Sequence, residues 1–472
     1  MKSISILFLI LLLQAGELFS IEHDESFLDR KTHGITVIGT GYVGLTLGAC
    51  LAEFGNHVIC CDIDQDKIDL LNQGHIPIFE IGLKELVDKN VQENRLLFSS
   101  DVKQSIRKNE IIFIAVGTPS NENGEANLGA FHAVAKTIGK NINGQKVIFV
   151  KSTVPIGSVK KFADLIRQNC DDQFDFDLAY TPEFLREGTS VQDFCDPERV
   201  VIGSESKRAN QILVEILWPL YSKKVPFLFT SIESAEMIKY AANSFLAVKI
   251  AFINEIANLC DQVGADVFEV KSGLALDSRI GSKCLNPGPG YGGYCLPKDT
   301  IALVHDAQKL GVDLKIVQAA IEANKLQPQI ILQKLYKLLD SEVENKTIAI
   351  LGLSFKENTD DVRCSPSLKI IEELLKNGAY VKAYDPIAMQ HVKKIYPQIE
   401  YCDSSYDAAE ESDAIMLLTG WKEFENIDLV KLRDSMKRPL FVDGRNLIST
   451  ETLKNLGFKY ENVGRSHVEK ME

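Results

Sequence analysis

The chain has 472 residues, of which 45% are hydrophobic and 25% charged, with a formal net charge of −13. This length predicts two or three domains, and the composition is that of a globular protein. The acidic balance, with no basic stretch to offset it, excludes a nucleic-acid binder, so any anionic ligand must be held by local cations. Ten cysteines are scattered without a CxxC pair or a Cys/His grouping at zinc spacing. No metal site is predicted, and such thiols suit a reducing compartment.

Residues 1–33 read as an N-terminal extension. Lys2 precedes an apolar run over 4–13 that only Ser5 interrupts, which has the shape of a signal-peptide core. The run is too short for a transmembrane helix, and Leu13-Gln-Ala-Gly16 offers small residues without an A-x-A cleavage site. Two readings stand: a non-native start or extension ahead of the folded domain, or an export or anchoring segment.

Residues 34–230 read as a dinucleotide-binding domain. The β-branched run 35–38 predicts a strand, Gly39-Thr-Gly41-Tyr42-Val43-Gly44 a turn, 45–54 a helix and 57–61 the next strand. Gly39 permits the tight turn, Gly41 lets a pyrophosphate approach the backbone, and Gly44 allows the helix to pack closely on the strand. Phosphates then sit at the helix N-terminus. Asp62, eighteen residues past Gly44 at the end of the second strand, suits the ribose hydroxyls and repels a 2′-phosphate, which favours NAD; Lys67 softens that preference. Buried strands follow at 110–116, 146–150 and 178–180. They deliver Thr118, the run Lys151-Ser-Thr153-Val-Pro155 and Glu183 to strand carboxyl ends, where such sheets bind ligands. An isolated Thr or Glu there also serves as a cap or turn residue.

The pattern changes at 231. Residues 233–263 lack Pro and Gly and read as one long helix, or two with a bend. Lys239 and Asn243, four apart, share one face of it. Residues 231–340 form a central helical region with a second helical stretch over 300–339, and long helices of this kind suit a dimer seam. Between them lies Gly290-Tyr291-Gly292-Gly293-Tyr-Cys295-Leu-Pro297-Lys298-Asp299. The glycine-rich loop places one thiol just ahead of a predicted helix, with Pro297 near its first turn. The positive end of the helix dipole favours a thiolate there. Together with a dinucleotide fingerprint, this suggests oxidation through a covalent sulfur adduct.

Residues 341–472 read as a second α/β domain, with strands at 347–351, 379–384, 414–418 and 439–442. Only Gly352 of a glycine fingerprint is present, so no second dinucleotide site is predicted. Lys356 and Arg445, at strand carboxyl ends, suit phosphate contacts. The fold class is thus α/β: two Rossmann-like, doubly wound parallel sheets joined by a long central helical region.

These residues closely resemble the UDP-glucose 6-dehydrogenases, within the UDP-glucose/GDP-mannose dehydrogenase family. The resemblance runs from about Gly34 to Arg465 and rests on the motifs above together with Pro182-Glu183-Phe184-Leu185-Arg186-Glu187-Gly188, Lys239-Tyr-Ala-Ala-Asn243, Phe355-Lys356, Asn358-Thr-Asp-Asp-Val-Arg363 and Asp443-Gly-Arg445. It implies a four-electron oxidation of a sugar C6 alcohol to a carboxylate, with two NAD reduced. In that scheme Cys295 captures the intermediate aldehyde as a thiohemiacetal and then carries a thioester that water hydrolyses. Lys239 and Asn243 hold the oxygen that gains charge, Asp299 and Thr118 order a water, and Glu183 is the base for hydrolysis. Phe184, Leu185, Arg186 and Glu187 fold over substrate and cofactor. Tyr291, Gly292, Gly293, Phe355, Lys356 and Arg445 contact the substrate. Tyr42, Val43, Thr153, Lys298 and Arg363 join the cofactor set. Arg279 reaches the neighbouring subunit's site, which makes a homodimer or higher homo-oligomer a functional requirement. The wording of the cysteine motif, with Tyr294 before the thiol, favours UDP-glucose. GDP-mannose or a UDP-N-acetylhexosamine is the alternative. A nicotinamide enzyme draws on a cytoplasmic cofactor pool, so the expected location is the cytoplasm, with no membrane partner.

Overall fold

The computed structural model describes residues 31–121, 123–171 and 173–465. The signal-like run and most of the predicted extension lie outside these residues. The described residues divide into two compact units, one of residues 31–121 and 126–239, the other of residues 123–125 and 240–465.

The first unit is built on an eight-stranded sheet in the order β3-β2-β1-β4-β5-β6-β7-β8. Its strands are β1 (Gly34–Ile38), β2 (His57–Cys61), β3 (Leu96–Ser99), β4 (Ile111–Ile114), β5 (Lys146–Val150), β6 (Phe176–Tyr180), β7 (Val200–Gly203) and β8 (Phe227–Thr230). All neighbours pair in parallel except β6 and β7, which meet antiparallel at Tyr180 and Gly203. A parallel strand is covered on both faces, and here alternate residues feed two cores. Ile35, Val37, Ile111 and Phe113 enter one layer, Ile38, Ile112 and Ile114 the other. This explains why the central strands read as continuous apolar runs. The sequence missed β3, β7 and β8, which are short and, at the edges, only half-buried.

Helix α1 (Tyr42–Glu53) follows β1 and begins three residues before its predicted start, so Tyr42, Val43 and Gly44 form its first turn. Helix α2 is Ser158–Arg167. Helix α3 (Ile232–Val263) runs unbroken for 32 residues, and the division between the units falls within it, after Lys239.

The second unit contains the rest of α3, then α4 (Val267–Ala275), α5 (Cys295–Lys309) and α6 (Lys315–Leu338). Its six-stranded parallel sheet has the order β11-β10-β9-β12-β13-β14. The strands are β9 (Thr347–Leu351), β10 (Tyr380–Tyr384), β11 (Glu400–Tyr401), β12 (Ala414–Leu417), β13 (Leu440–Asp443) and β14 (Lys459–Asn462). In strand order along the chain, this repeats the 3-2-1-4-5-6 arrangement of the first six strands. Alternation holds here too: Ile348 and Ile350 face one core, Ala349 and Leu351 the other. Among the described residues, no helix is long and apolar enough to cross a membrane.

Candidate active site

In the first unit the glycine turn does three distinct jobs. Gly39 adopts φ +103°, and a Cβ there would lie 2.5 Å from the carbonyl oxygen of Ala115. Gly44 packs so tightly that a Cβ would sit 1.9 Å from the Gly39 carbonyl oxygen. Gly41 is the N-cap of α1, has no capping side chain, and a Cβ there would meet no protein atom within 4 Å. A Cβ at Gly41 therefore harms nothing in the protein itself, while the uncapped amides of α1 offer hydrogen bonds to an anion brought up to them.

Asp62 ends β2 beside this turn. Its Oδ2 accepts from the Thr40 amide at 2.9 Å and hydroxyl at 2.7 Å, with the Lys67 ammonium at 3.3 Å, and its Oδ1 accepts from the Asp64 amide. Burial pushes the carboxyl up, but these donors and Lys67 outweigh it and hold the group below the usual carboxylate range. Asp62 is thus held as an anion beside the glycine turn, with its second oxygen engaged only by the Asp64 amide at 3.2 Å.

Thr118 and Glu183 both lie at strand carboxyl ends and both are buried. The Thr118 hydroxyl donates to the Thr153 carbonyl at 2.6 Å. Glu183 accepts from the Leu185 amide at 2.6 Å through one oxygen and from the Lys239 ammonium at 3.0 Å through the other. The local turn reading of Glu183 is therefore correct, and it coexists with a buried ion pair. Lys239 also stands 5.4 Å from the Phe184 ring, whose other visitor is the Arg199 guanidinium at 4.0 Å. Leu185 packs against the core. Arg186 is exposed and chelated by Asp193, and Glu187 is half-buried in the same loop.

Two residues here were not assigned roles from sequence. Glu80 is buried and accepts from the Gly188 and Ser190 amides, both at 2.8 Å, so it pins the 183–190 loop from below. No motif surrounds it. Lys151 stands in a motif that the sequence does show. Burial lowers its ammonium to about 8, with Glu183 opposing and Lys239 reinforcing the shift. A cation so close to both makes Lys151 part of the Glu183–Lys239 cluster.

In the second unit, Cys295 is the first residue of the fifteen-residue α5, and the Tyr294 cap supplies no side-chain hydrogen bond. Pro297 occupies the third helical position, within the first turn as expected, where an amide has no intrahelical partner. All ten cysteines are thiols, and Cys295 is half-buried. Asn243 donates to Asp299 Oδ2 at 2.6 Å, and Lys298 pairs with Asp299 Oδ1 at 2.5 Å. All three are buried. Lys239 and Asn243, one helical turn apart, thus each hold a carboxylate of their own.

The glycine loop ahead of Cys295 is held against the second sheet's loops. A Cβ at Gly293 (φ +78°) would strike the Phe355 ring at 2.8 Å, and one at Gly292 the Cys364 carbonyl oxygen at 2.5 Å. The Gly293 amide donates to the Arg363 carbonyl. Arg363 is paired with Asp361 and lies 4.3 Å from the Tyr294 ring. Burial pushes the Tyr294 phenol up to about 12 against the opposing pull of Arg363. Tyr291 is buried and likewise raised to about 12. Arg445 donates to the Leu418 and Phe355 carbonyls at 2.8 and 3.0 Å, and Lys356 lies 5.6 Å from the Phe355 ring. Arg279 is 87% exposed and folded back on Asp277, outside this cluster.

The chain matches the NAD binding domain of the UDP-glucose/GDP-mannose dehydrogenase family over residues 33–221, its central domain over 233–326 and its UDP binding domain over 349–450. It belongs to this family. UDP-glucose 6-dehydrogenase TuaD of Bacillus subtilis is 49% identical over 92% of this chain and 94% of its own length. The UDP-glucose 6-dehydrogenase of Rhizobium meliloti is 43% identical over 91% of this chain and 99% of its own. A UDP-glucose dehydrogenase from the hyperthermophilic archaeon Pyrobaculum islandicum superposes with a TM-score of 0.85 at 31% identity, covering 92% of this chain and 98% of that one. As a member of the UDP-glucose/GDP-mannose dehydrogenase family, the protein is an NAD-dependent oxidoreductase with a UDP-sugar substrate. The open cradle over Gly41 and the anionic Asp62 fit that cofactor.

Proposed function

We propose that the protein oxidises the C6 alcohol of UDP-glucose to the carboxylate of UDP-glucuronate, with Cys295 as the covalent catalyst. The observation that carries this reading is the placement of Cys295 at the uncapped N-terminus of α5, one helical turn from the buried Asp299, in a family of NAD-dependent sugar-nucleotide oxidoreductases. When bound in the Gly39–Gly44 cradle, NAD accepts one hydride at each of two oxidations.

The residues supply the rest. Asp299 and Thr118 order a water that takes the alcohol proton as the first hydride leaves. The Cys295 thiolate adds to the resulting aldehyde carbon, and the oxygen that gains charge is met by the Lys239 ammonium and the Asn243 amide. Loss of the second hydride converts this thiohemiacetal to a thioester. Glu183 then takes a proton from water as the water attacks; the C–S bond breaks, and carboxylate and thiolate are released. The bond from Lys239 to Glu183 supports these two roles, because each buried group is compensated by the other. Lys356, Arg445, Phe355, Tyr291 and the loop glycines line the UDP-sugar side. Tyr42, Val43, Lys67, Thr153, Glu187, Lys298 and Arg363 complete the cofactor side.

We further propose a homodimer in the cytoplasm, where the cofactor pool lies. Phe245, Phe252 and Leu259 recur every seven residues on α3 and are 65, 47 and 56% exposed, a stripe that a second copy would cover. The exposed Arg279 can then turn towards that copy's site.

A substrate panel of UDP-glucose, UDP-N-acetylglucosamine, UDP-N-acetylmannosamine and GDP-mannose tests the reading, with NADH counted per sugar. Two NADH per UDP-glucose and none from the others is the expected result. Replacing Cys295 with Ser should stop the second oxidation; full two-NADH turnover by C295S would refute the mechanism.

A further inference from the structure

We propose that Asn324 is a positioning residue for the Cys295 thiol, acting through the backbone of the loop that leads into α5. This inference rests on the reading of Cys295 as the nucleophile. Asn324 lies on α6, far in sequence from the loop, yet it treats Tyr291 as a neighbouring strand would. The Tyr291 amide donates to Asn324 Oδ1 at 2.7 Å, and Asn324 Nδ2 donates to the Tyr291 carbonyl at 2.9 Å. Both backbone groups of one residue are thereby fixed by one side chain.

The same loop is gripped a second time at Gly288. Its amide donates to Asn254 Oδ1 on α3 at 2.8 Å, and its carbonyl accepts from Gln327 Nε2 on α6 at 3.0 Å. Between the two grips sits Gly290 at φ +117°, where a Cβ would come 2.9 Å from Asn324 Oδ1. Four glycines, at 288, 290, 292 and 293, give this stretch high intrinsic freedom, which Pro287 and Pro289 limit only at their own φ. The three amide side chains remove that freedom, and Phe355 and Arg363 continue the constraint to Tyr294. The loop itself is buried, but a cavity of about 230 Å³ opens between α3 and α6 with Asn254, Asn324 and Gln327 in its wall, so on that side these amides rather than close packing hold the backbone. Loss of the Asn324 amide frees both backbone groups of Tyr291, four residues before the thiol, and nucleophilic attack is sensitive to displacements on the order of 1 Å.

The test compares Asn324→Ala and the isosteric Asn324→Asp with the native protein. Asp retains the acceptor for the Tyr291 amide but turns a carboxylate towards the Tyr291 carbonyl. Three quantities are read: kcat and KM for UDP-glucose, the pH profile of iodoacetamide alkylation at Cys295 mapped by mass spectrometry, and Tm. A lost positioning role lowers kcat at least about 10-fold in N324A and about 3-fold in N324D, with KM within about 3-fold, and shifts the alkylation profile. Native kcat and a native alkylation profile in N324D would overturn the proposal even if N324A fails to fold, as would a fall in kcat with an unchanged profile. C295A separates the two readings. If it still yields two NADH per UDP-glucose, the nucleophile assignment is wrong, whereas the alkylation shift in the Asn324 variants reports thiol placement independently of turnover.

Discussion

The two sheets share the strand order 3-2-1-4-5-6, and each ends its first strand in a glycine with positive φ, Gly39 at +103° and Gly352 at +97°. Each also ends its second strand in an aspartate that caps that turn. Asp62 receives the Thr40 amide, and Asp385 receives the Leu353 and Ser354 amides. The two turns differ in where the next helix begins. After Gly39 a helix starts within three residues, whereas after Gly352 no helix starts until Pro366. Asp62 keeps an exposed flank and an ammonium beside it, while Asp385 is fully buried and takes further bonds from Trp421 Nε1 and the Ile387 and Ala388 amides. One topology thus yields a dinucleotide cradle where the helix N-terminus is presented, and a closed structural turn where the same acid is consumed internally.

Substitutions at the glycines give the largest separation between the halves. Gly44→Val, with no room even for a Cβ, should cost more than about 3 kcal/mol and prevent stable folding, read by chemical denaturation. A Cβ at Gly41 meets no protein atom within 4 Å, so in Gly41→Ala Tm should hold while the Kd for NAD rises at least about 10-fold, read by fluorescence titration. Gly352→Ala should lower Tm and leave the Kd for NAD at its native value.

The two acids sharpen the contrast at intermediate size. Asp62→Ala should weaken NAD by about 10-fold with little change in Tm. Asp385→Ala strands several buried donors and should cost about 3 kcal/mol with NAD affinity intact. A loss of NAD affinity in D385A comparable with that in D62A would abolish the distinction.

The smallest effect is in the pH dependence of stability. Each unit holds a fully buried carboxyl that burial raises strongly: Glu236 to about 7, although it accepts from the Gly157 and Val159 amides at the start of α2, and Asp443 to about 6. An acid raised in the folded state binds more protons folded than unfolded between the two values. Stability therefore falls as pH rises from 4.5 to about 7 on account of Glu236, and from 3.8 to about 6 on account of Asp443. Tm measured across pH 4–8 should lose part of that slope in E236Q and, over the lower window, in D443N. An unchanged slope in E236Q would show that Glu236 titrates normally.

Sequence reading reached the central strands, the glycine cradle, the unbroken α3 and the helix-start position of Cys295. All are encoded within a few residues: apolar runs, glycine spacing, a long stretch without breakers. It missed β3, β7, β8, β11 and β14, because short strands acquire their state from the neighbours they pair with. It also could not assign partners. Lys239 and Asn243 looked like two donors for one target, and the fold gives them Glu183 and Asp299 respectively. Glu80 beneath the 183–190 loop and Asn324 behind Tyr291 carry no local signature, since a lone carboxylate in a loop, or an amide inside a helical pattern, reads as an ordinary polar residue.

What the sequence alone determined, then, is the set of groups available: a glycine turn at a helix start, an acid at the end of the next strand, and one thiol at a helix N-terminus. These depend on backbone conformations that specific residue types permit or forbid locally. What only the tertiary structure decided is which of the two similar turns is presented, which carboxylate each cation serves, and how the loop before Cys295 is held still. Those depend on residues tens to more than a hundred positions apart meeting within hydrogen-bond distance, and no local propensity encodes such a meeting.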